Sequence, residues 1–443
     1  MTFGESVLED KLGELEATAG EPSRYVVAFS GGLDSTVLLH ALKPLADRRG
    51  IALGAIHVDH GLQQDSGDWR RHCEATATAL GIDCRSLRVT VQLESGKGPE
   101  ASAREARYTA LHAELGTGDW LLSAHHREDQ AETLLLNLVR GTGPAGIAGI
   151  GQLRRFGPGW LVRPLIGVDR SALEDYANKQ QIEWIDDPSN ADRRFDRNFL
   201  RHDVLPRLKS RWPDISARLQ RSALNASEAS QLLADLAALD LEALGGRAER
   251  LPIDGLATLA AARQRNVIRY ALRKLGLSTP TAIQLGRVLN ELIPARADAQ
   301  PLVSWPGAAV RRYRNGIYLL PERLEAAPVS GDVTQWPLEL GRGLGRLKLE
   351  PGAETGLSEA LLERGLRLSF RKGGEEFRPY GHTHTRKLKK LLQEEGVVPW
   401  MRDRVPLLYA GEEIVAVGDL WIAADAIAEP GKRVRWVDRP ALH

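Results

Sequence analysis

The stretch from Tyr25 to Leu39, YVVAFSGGLDSTVLL, constrains the fold more than any other part of the chain. Residues 25–29 form an apolar run rich in β-forming side chains, which predicts a buried parallel strand. The glycines at 31 and 32 allow a tight turn, and residues 34–36 open an apolar helix. A strand, a glycine turn and a helix N-terminus together present backbone N–H groups to an anion. The pattern favours phosphate binding, with an ordinary β–turn–α corner as the alternative.

The remainder of the N-terminal half continues the same alternation of strand and helix. Further strands are predicted at 51–58, 85–91 and 120–124, separated by helical segments. This alternation predicts an α/β fold with a doubly wound parallel sheet. Three polar loops, 30–35, 57–62 and 125–133, then meet at the carboxyl edge of the sheet, where such folds bind ligands.

The third loop carries most of the chemistry. It reads HHREDQAET from His125 to Thr133. Asp129 and Glu132 are three residues apart, so one helical face can carry both carboxylates. A histidine pair beside acids suggests a metal site, and polar residues that cap a helix are the alternative. The glycine- and proline-rich segment 143–159 predicts a mobile connection rather than regular structure.

The C-terminal half shows weaker patterns. Leucines at 232, 233, 236, 239 and 244 predict one long amphipathic helix ending at the glycines 245–246. Two more helices are predicted at 259–275 and 281–293, with Thr279 as the cap of the second. A hairpin with Asn315-Gly316 at its turn follows, and then short strands and a helix from Lys387 to Glu395.

Composition narrows the classes of protein that the chain can belong to. The 443 residues are 43% apolar and 26% charged, with a net charge of +1 and only two cysteines, Cys73 and Cys84. These values favour a cytoplasmic protein of two to four domains, without a disulfide framework, a secretion signal or a membrane span. Basic residues cluster at 193–221 and 386–390, which suits a phosphate backbone, although solvated helix faces would look the same.

Six short motifs, and the order in which they occur along the chain, narrow the possible functions further. They are Ser30–Ser35 (SGGLDS), His57–Leu62 (HVDHGL), His125–Thr133 (HHREDQAET), Arg140–Gly143 (RGTG), Asp187–Asn190 (DPSN) and Arg197–Arg201 (RNFLR). In this order they resemble the tRNA(Ile)-lysidine synthetases of the PP-loop ATP pyrophosphatase superfamily, and the match is close over about the first half of the chain. One departure is Glu128, where that family usually carries aspartate.

The resemblance implies a domain plan and a reaction. An adenine nucleotide alpha hydrolase-like ATP domain is expected at 1–215, a mainly helical tRNA-binding domain at 216–325, and a small α+β C-terminal tRNA-binding domain at 335–443. The implied reaction joins free L-lysine to C2 of the wobble cytidine of tRNA(Ile) with a CAU anticodon. ATP first adenylates the base, Mg²⁺ is the implied metal, and AMP and pyrophosphate are released. Lysidine changes the codon and the amino-acid identity from methionine to isoleucine.

The same resemblance, together with the residue chemistry, assigns the site. The proton acceptors for the lysine amine are expected in the order Asp129, His126, Glu132, and Asp34 and Asp129 are the predicted Mg²⁺ ligands. Asp34 also counts among the catalytic residues. The predicted nucleotide contacts are Ser30, Gly31, Gly32, Leu33, Asp34, Ser35, Asp59 and His60. The predicted tRNA contacts are Arg197, Arg201, Arg386, Lys387, Lys389 and Lys390.

Two other functions fit part of the pattern. A tRNA thiolase would use the same nucleotide domain, but it would need reactive or cluster-binding cysteines, and Cys73 and Cys84 form no Cys-x-x-Cys pair. A non-catalytic RNA-binding protein with a degenerate nucleotide fold should have lost Asp34 or Asp129, and both are present. The oligomeric state stays open, with a homodimer as one arrangement to test.

Overall fold

The computed structural model describes residues 2–59, 66–90, 99–296, 298–323, 330–341, 343–440 and 442. The predicted nucleotide contact His60 therefore lies outside the described residues. The chain divides into two compact units, Met1–Leu233 and Ala234–His443. Within the described ranges, no helix combines the length and the apolar character that crossing a membrane requires.

A six-stranded sheet forms the centre of the first unit, in the order β3-β2-β1-β4-β6-β5. Strands β1 to β4 and β6 pair in parallel, and β5 joins the edge antiparallel to β6. The predicted parallel α/β sheet is confirmed. The strands are β1 Arg24–Ala28, β2 Ala52–Asp59, β3 Asp83–Arg88, β4 Trp120–Leu122, β5 Leu153–Phe156 and β6 Gly159–Val162.

Helices connect and cover these strands. The second helix is buried along most of its length, since it packs on the sheet and against the first and seventh helices. The helices are α1 Glu5–Ala19, α2 Leu33–Arg49, α3 Ser66–Ala79, α4 Pro99–Ala113, α5 Arg127–Val139, α6 Pro144–Ile147, α7 Arg170–Lys179, α8 Asp196–Phe199, α9 Leu205–Arg211 and α10 Ile215–Ala243. A 3₁₀ turn spans Pro188–Ala191, and a π-helical turn, Leu200–Val204, joins α8 to α9.

The prediction of a mobile connection at 143–159 was wrong. This segment contains α6 and the β5–β6 hairpin, and β6 extends the sheet beside β4. The glycines in this segment make the regular structure possible, because they allow a tight turn and a close approach between strands. Gly157 takes a positive φ of 58° near the hairpin turn, and a Cβ on Gly159 would meet the backbone of Asp119. Glycine content alone does not separate a tight hairpin from a loose loop.

The second unit continues with helices and antiparallel sheets. Its helices are α11 Ile253–Thr258, α12 Ala261–Lys274, α13 Ala282–Arg287, α14 Glu359–Glu363 and α15 Leu388–Glu394, with irregular helical turns at Val288–Leu292 and Pro399–Arg404. Its first strands form a sheet in the order β7-β10-β9-β8. They are β7 Arg250–Pro252, β8 Leu302–Trp305, β9 Ala308–Tyr313 and β10 Gly316–Leu320.

Two five-stranded sheets follow, β11-β15-β18-β19-β20 and β12-β13-β22-β14-β21, with a β16–β17 pair. Their strands are β11 Gly331–Asp332, β12 Leu338–Glu339, β13 Arg346–Ala353, β14 Gly356–Leu357, β15 Arg367–Phe370, β16 Glu376–Phe377, β17 Arg386–Lys387, β18 Pro406–Ala410, β19 Glu413–Val417, β20 Trp421–Ile422, β21 Ile427–Ala428 and β22 Gly431–Val437. The antiparallel sheets follow the mainly helical part, as expected. The three-domain boundaries stay a prediction.

Local details of this half differ from the sequence prediction. The hairpin turn is Arg314-Asn315, because Gly316 already pairs with Tyr313. Thr281 caps α13, since its hydroxyl accepts from the N–H of Gln284 and that side chain bonds back to the cap N–H. Residues 386–387 form a strand, so the predicted helix begins at Leu388.

The long helix α10 is confirmed, but its predicted apolar face is not its buried face. Leu232 and Leu239 are 64% and 63% exposed. Ala237, Asp240 and Leu241 are buried instead. Arg263 donates two hydrogen bonds to the buried carboxylate of Asp240. Leucine periodicity predicted the helix correctly, but it did not identify the neighbours that the helix contacts.

Candidate active site

The loop that joins β1 to α2 forms one wall of the candidate site. Gly32 caps α2, which begins at Leu33, so the first N–H groups of this 17-residue helix point into the loop. The hydroxyls of Ser30 and Ser35 lie 3.0 Å apart, and Ser35 also donates to the Gly32 carbonyl at 3.1 Å. Backbone donors and hydroxyls at a helix N-terminus form a site suited to phosphate oxygens.

Gly31 is required by the geometry of the loop. Its φ is +80°, and an added Cβ would lie 2.8 Å from the Sγ atom of Cys73. The carbonyl of Gly31 accepts a hydrogen bond from the N–H of Ile185 at 3.0 Å. Any other residue would strain the backbone and displace the cysteine.

Three side chains from two elements meet beside this loop. His126 lies directly before α5, and its Nε2 atom is 3.7 Å from Asp34 Oδ2 and 3.4 Å from Asp129 Oδ2. The histidine side chain is 1% exposed and that of Asp129 is 11% exposed. The predicted residues Asp34, His126 and Asp129, which come from α2 and α5, therefore lie together.

The carboxylate pKa values differ within this group. Burial raises the pKa of Asp34, and the charge of His126 only partly offsets that effect. Burial also acts on Asp129, but the charges of His126 and Arg197 outweigh it and lower the pKa to about 2. Burial lowers the pKa of His126, while its bond to Glu128 and the nearby carboxylates raise it more, so the net shift is upward.

Two arginines complete a compact charged network. Arg197 Nε donates to Glu132 Oε2 at 2.7 Å, and Arg201 Nε donates to Glu132 Oε1 at 2.6 Å. Both guanidinium groups also bond to Asp129 Oδ1, at 2.7 and 3.0 Å. Glu132 has no exposed surface, whereas the two arginines are 27% and 25% exposed. The structure therefore places Arg197 and Arg201 beside the predicted catalytic acids, and tRNA contact by them stays a prediction.

The second unit presents the other predicted tRNA contacts. Leu388, Leu391 and Leu392 are the buried residues of α15. Lys387, Lys389 and Lys390 are exposed, and none of them has an ion-pair partner within the described ranges. Arg386 differs from them because its guanidinium pairs with Glu394. Three unpaired cations on one short segment suit an anionic partner.

Other predicted positions at the sheet edge have structural partners. Asp59 ends β2, and its carbonyl accepts from the N–H of Val89 at 2.9 Å. His57 Nδ1 lies 3.0 Å from the Phe29 carbonyl, which ties the ends of β1 and β2 together. Burial lowers the pKa of His125 to about 3, so this ring is neutral, and its Nδ1 lies 2.9 Å from the Ser123 hydroxyl.

The donor set fits a magnesium ion bound together with a nucleotide. Asp34 Oδ1 is buried and has no hydrogen-bond partner among the described residues. Mg²⁺ characteristically takes one or two carboxylates and completes its shell with phosphates and water. In the part of the chain that the structure describes, no three His, Cys, Asp or Glu side chains form a ready-made metal site. Asp34 therefore fits a metal that arrives with ATP. Asp129 stays a predicted ligand, since its Oδ1 accepts from Arg197 and Arg201 and its Oδ2 accepts from the backbone N–H of His126.

Some functional contacts were not foreseen from the sequence. The sequence places Lys209 only within a basic stretch, yet its Nζ atom bonds to Glu128 Oε1 at 2.8 Å. Cys73 also lies against the loop at Gly31. The unusual Glu128 was the one sequence signal that pointed to Lys209. No pattern in the sequence pointed to the cysteine contact.

Comparison with known proteins agrees with this geometry. Family profiles described as PP-loop domain, TilS substrate binding domain and TilS substrate C-terminal domain match residues 5–208, 251–318 and 366–436. A tRNA(Ile)-lysidine synthase of Alkalilimnicola ehrlichii is 44% identical over 422 residues, covering 94% of both chains. One from Coxiella burnetii is 39% identical over 412 residues, covering 92% of this chain and 91% of its own.

A solved structure is also similar to the chain. The U34-tRNA thiolase NcsA from Methanococcus maripaludis is 19% identical, with a TM-score of 0.41, and the match covers 51% of this chain and 80% of that one. Such a likeness is too low to bear on activity. The sequence relatives and the three matched profiles decide the family: this chain belongs to the tRNA(Ile)-lysidine synthases, ATP-dependent ligases of the PP-loop class.

Proposed function

We propose that the chain joins the ε-amine of free L-lysine to C2 of the wobble cytidine in tRNA(Ile) with a CAU anticodon. The observation that carries the proposal is the 3.7 Å approach of Asp34, on the nucleotide loop helix, to His126, on the acid-bearing helix. It joins a phosphate-binding loop and a cluster of acids and arginines into one site. The names of the relatives supply the substrate.

In the first step, the cytosine O2 oxygen attacks the α-phosphorus of ATP. A P–O bond forms to the base, the α–β P–O bond breaks, and pyrophosphate leaves. The backbone N–H groups of residues 31–35 and the hydroxyls of Ser30 and Ser35 hold the phosphates. Asp34 and Asp129 would hold Mg²⁺, which neutralises phosphate charge when bound.

In the second step, the lysine amine attacks C2 of the adenylated base and AMP leaves. The amine must lose a proton, so the site needs an acceptor. The oxygens of Glu132 are occupied by Arg197 and Arg201, and Asp129 is bonded to both arginines. The neutral form of His126 presents an unprotonated Nε2 to the loop, so we assign the acceptor role to that form, with Asp129 orienting the ring. Asp129 and Glu132 also fix both guanidinium groups in the site.

The thiolase alternative is not favoured by the surroundings of the cysteines. Burial raises the pKa of Cys73 to about 12 and that of Cys84 to about 11. Cys73 is fully buried and packs against the nucleotide loop. Neither thiol has the lowered pKa and exposure that sulfur transfer needs.

Incorporation of radiolabelled lysine into a tRNA(Ile) transcript tests the proposal. The reaction contains the full chain, ATP and Mg²⁺, and the control transcript differs only in carrying uridine at the wobble position. We expect label in the cytidine transcript alone, and only with ATP. Absence of ATP-dependent lysine incorporation would contradict the proposal, as would equal labelling of both transcripts.

A further inference from the structure

Both carboxylate oxygens of Glu128 are already bonded to other residues of the protein, so neither is free to bind a nucleotide. Its Oε1 accepts from Lys209 Nζ at 2.8 Å, and its Oε2 accepts from the backbone N–H of Arg170 at 3.0 Å. The same Oε2 lies 3.2 Å from His126 Nδ1. The side chain is 13% exposed. Glu128 therefore links the starts of α5 and α7 to α9.

These bonds determine how the His126 ring is presented. An ionised carboxylate only accepts hydrogen bonds, so the Nδ1 atom of His126 must carry the proton that it shares with Glu128. The opposite atom, Nε2, then faces Asp34 and Asp129. A partner that fixes one ring nitrogen fixes the orientation and tautomer available at the other.

We propose that Glu128 and Lys209 form a positioning pair for His126, in which the lysine at 209 matches the reach of the glutamate at 128. The role in the reaction rests on the proposed function. The pair acts through His126, and neither residue is assigned to ATP or to metal.

The length of the side chain supports the pairing. Aspartate at 128 would withdraw the carboxylate by one methylene, about 1.5 Å. From that position one carboxylate cannot keep both the bond to Lys209 and the bonds to Arg170 and His126. Arginine at 209 has a longer reach than lysine and still carries a positive charge. A shorter acid and a longer base should therefore compensate for each other.

The test uses four variants of the full chain: Glu128→Asp, Lys209→Arg, the double variant, and Lys209→Gln. Lysine incorporation gives kcat and the KM values for tRNA, ATP and lysine. Because misplacement of a catalytic group by about 1 Å can cost up to roughly a hundredfold in rate, we expect Glu128→Asp and Lys209→Gln to lower kcat by about tenfold or more. The KM for tRNA should stay within about twofold. The double variant should recover most of the kcat that Glu128→Asp loses.

Lys43→Gln is the matched control. Its Nζ pairs with the exposed Asp47 at 2.5 Å on the far part of α2, so the variant removes a partly exposed lysine–carboxylate pair outside the site. It should leave kcat unchanged. The proposal is overturned if Glu128→Asp retains full kcat, if its loss is confined to the KM for tRNA, or if the double variant is as slow as Glu128→Asp.

Urea unfolding tests the Glu128–Lys209 pair without measuring enzyme activity, so the pair and the proposed function can fail separately. If the wild-type chain incorporates no lysine, the proposed function fails, and urea unfolding of Glu128→Gln, Lys209→Gln and their combination still tests the pair. Coupled residues give non-additive changes in unfolding free energy. Additive changes would overturn the pairing itself.

Discussion

The Nε atom of Arg197 donates to Oε2 of Glu132 across 2.7 Å, although 65 residues of sequence separate them. The acceptor side chain has no exposed surface, and Arg201 bonds to it from the other side. A buried carboxylate that holds two guanidinium groups fixes α8 and the following turn onto α5. The bonds of Glu132 and Asp129 to the two arginines therefore hold these elements together, and the same two acids line the site.

Glu132→Gln should destabilise the first unit strongly, because it removes the buried carboxylate that both guanidinium groups share and leaves Asp129 alone to balance two positive charges. Removing one partner of a buried pair costs about 3 kcal/mol or more in unfolding free energy. Urea unfolding measures the change. Glu14→Gln is the control, since Glu14 is 61% exposed and its pair with Lys11 lies on the surface. Similar small losses in both variants would contradict the structural role of Glu132.

Gly31→Ala should raise the KM for ATP and lower stability, because alanine would be strained at the positive φ of this position and its methyl group would displace Cys73. Gly50→Ala serves as the comparison, since Gly50 has a φ of +65° with open space around it. Gly50→Ala should lower the free energy of unfolding only by the cost of the left-handed backbone, roughly 1–2 kcal/mol. Combining Gly31→Ala with Cys73→Ala should restore part of the ATP affinity. Equal behaviour of the two glycine variants would count against the tight contact.

The two cysteines should resist alkylation in the native protein. With thiol pKa values of about 12 for Cys73 and about 11 for Cys84, almost no thiolate is present at pH 8. Reactivity should increase only as the pH approaches those values. Iodoacetamide at pH 8, followed by mass spectrometry, should find both thiols unmodified in buffer and modified in urea. Rapid labelling of either thiol without denaturant would contradict these pKa shifts.

Replacing Lys387, Lys389 and Lys390 together by glutamine should weaken tRNA binding and flatten its dependence on salt. Each lost phosphate contact lowers the magnitude of the slope of log K against log salt by about 0.7 to 0.9, so three contacts change it by about 2 to 3. The comparison variant replaces Lys11, Lys43 and Lys179 in the first unit. An unchanged slope for the 387–390 variant would show that these lysines face solvent and do not contact the phosphates of the tRNA.

Local signals in the sequence predicted the parallel sheet and the approach of Asp34 to His126 and Asp129, because glycine turns and polar strand ends determine both. The ion pairs from Glu132 to Arg197 and Arg201 were not predicted, since their partners come from distant segments. Neither was the buried face of α10 or the hairpin at 153–162. The spacing of apolar residues in the sequence predicts that a helix exists. Which residues that helix contacts depends on the packing of the whole unit.

In the proposed reaction ATP activates the base and not the lysine. Incubating the chain with tRNA(Ile) transcript, Mg²⁺ and ATP labelled at the α-phosphorus, without lysine, tests this most directly. Label should become attached to the RNA, and adding lysine should release it as AMP while lysine joins the tRNA. Asp34→Asn should lose the first labelling while still binding tRNA. Labelled lysyl-adenylate formed without tRNA, or AMP release with no label on the RNA, would contradict the account.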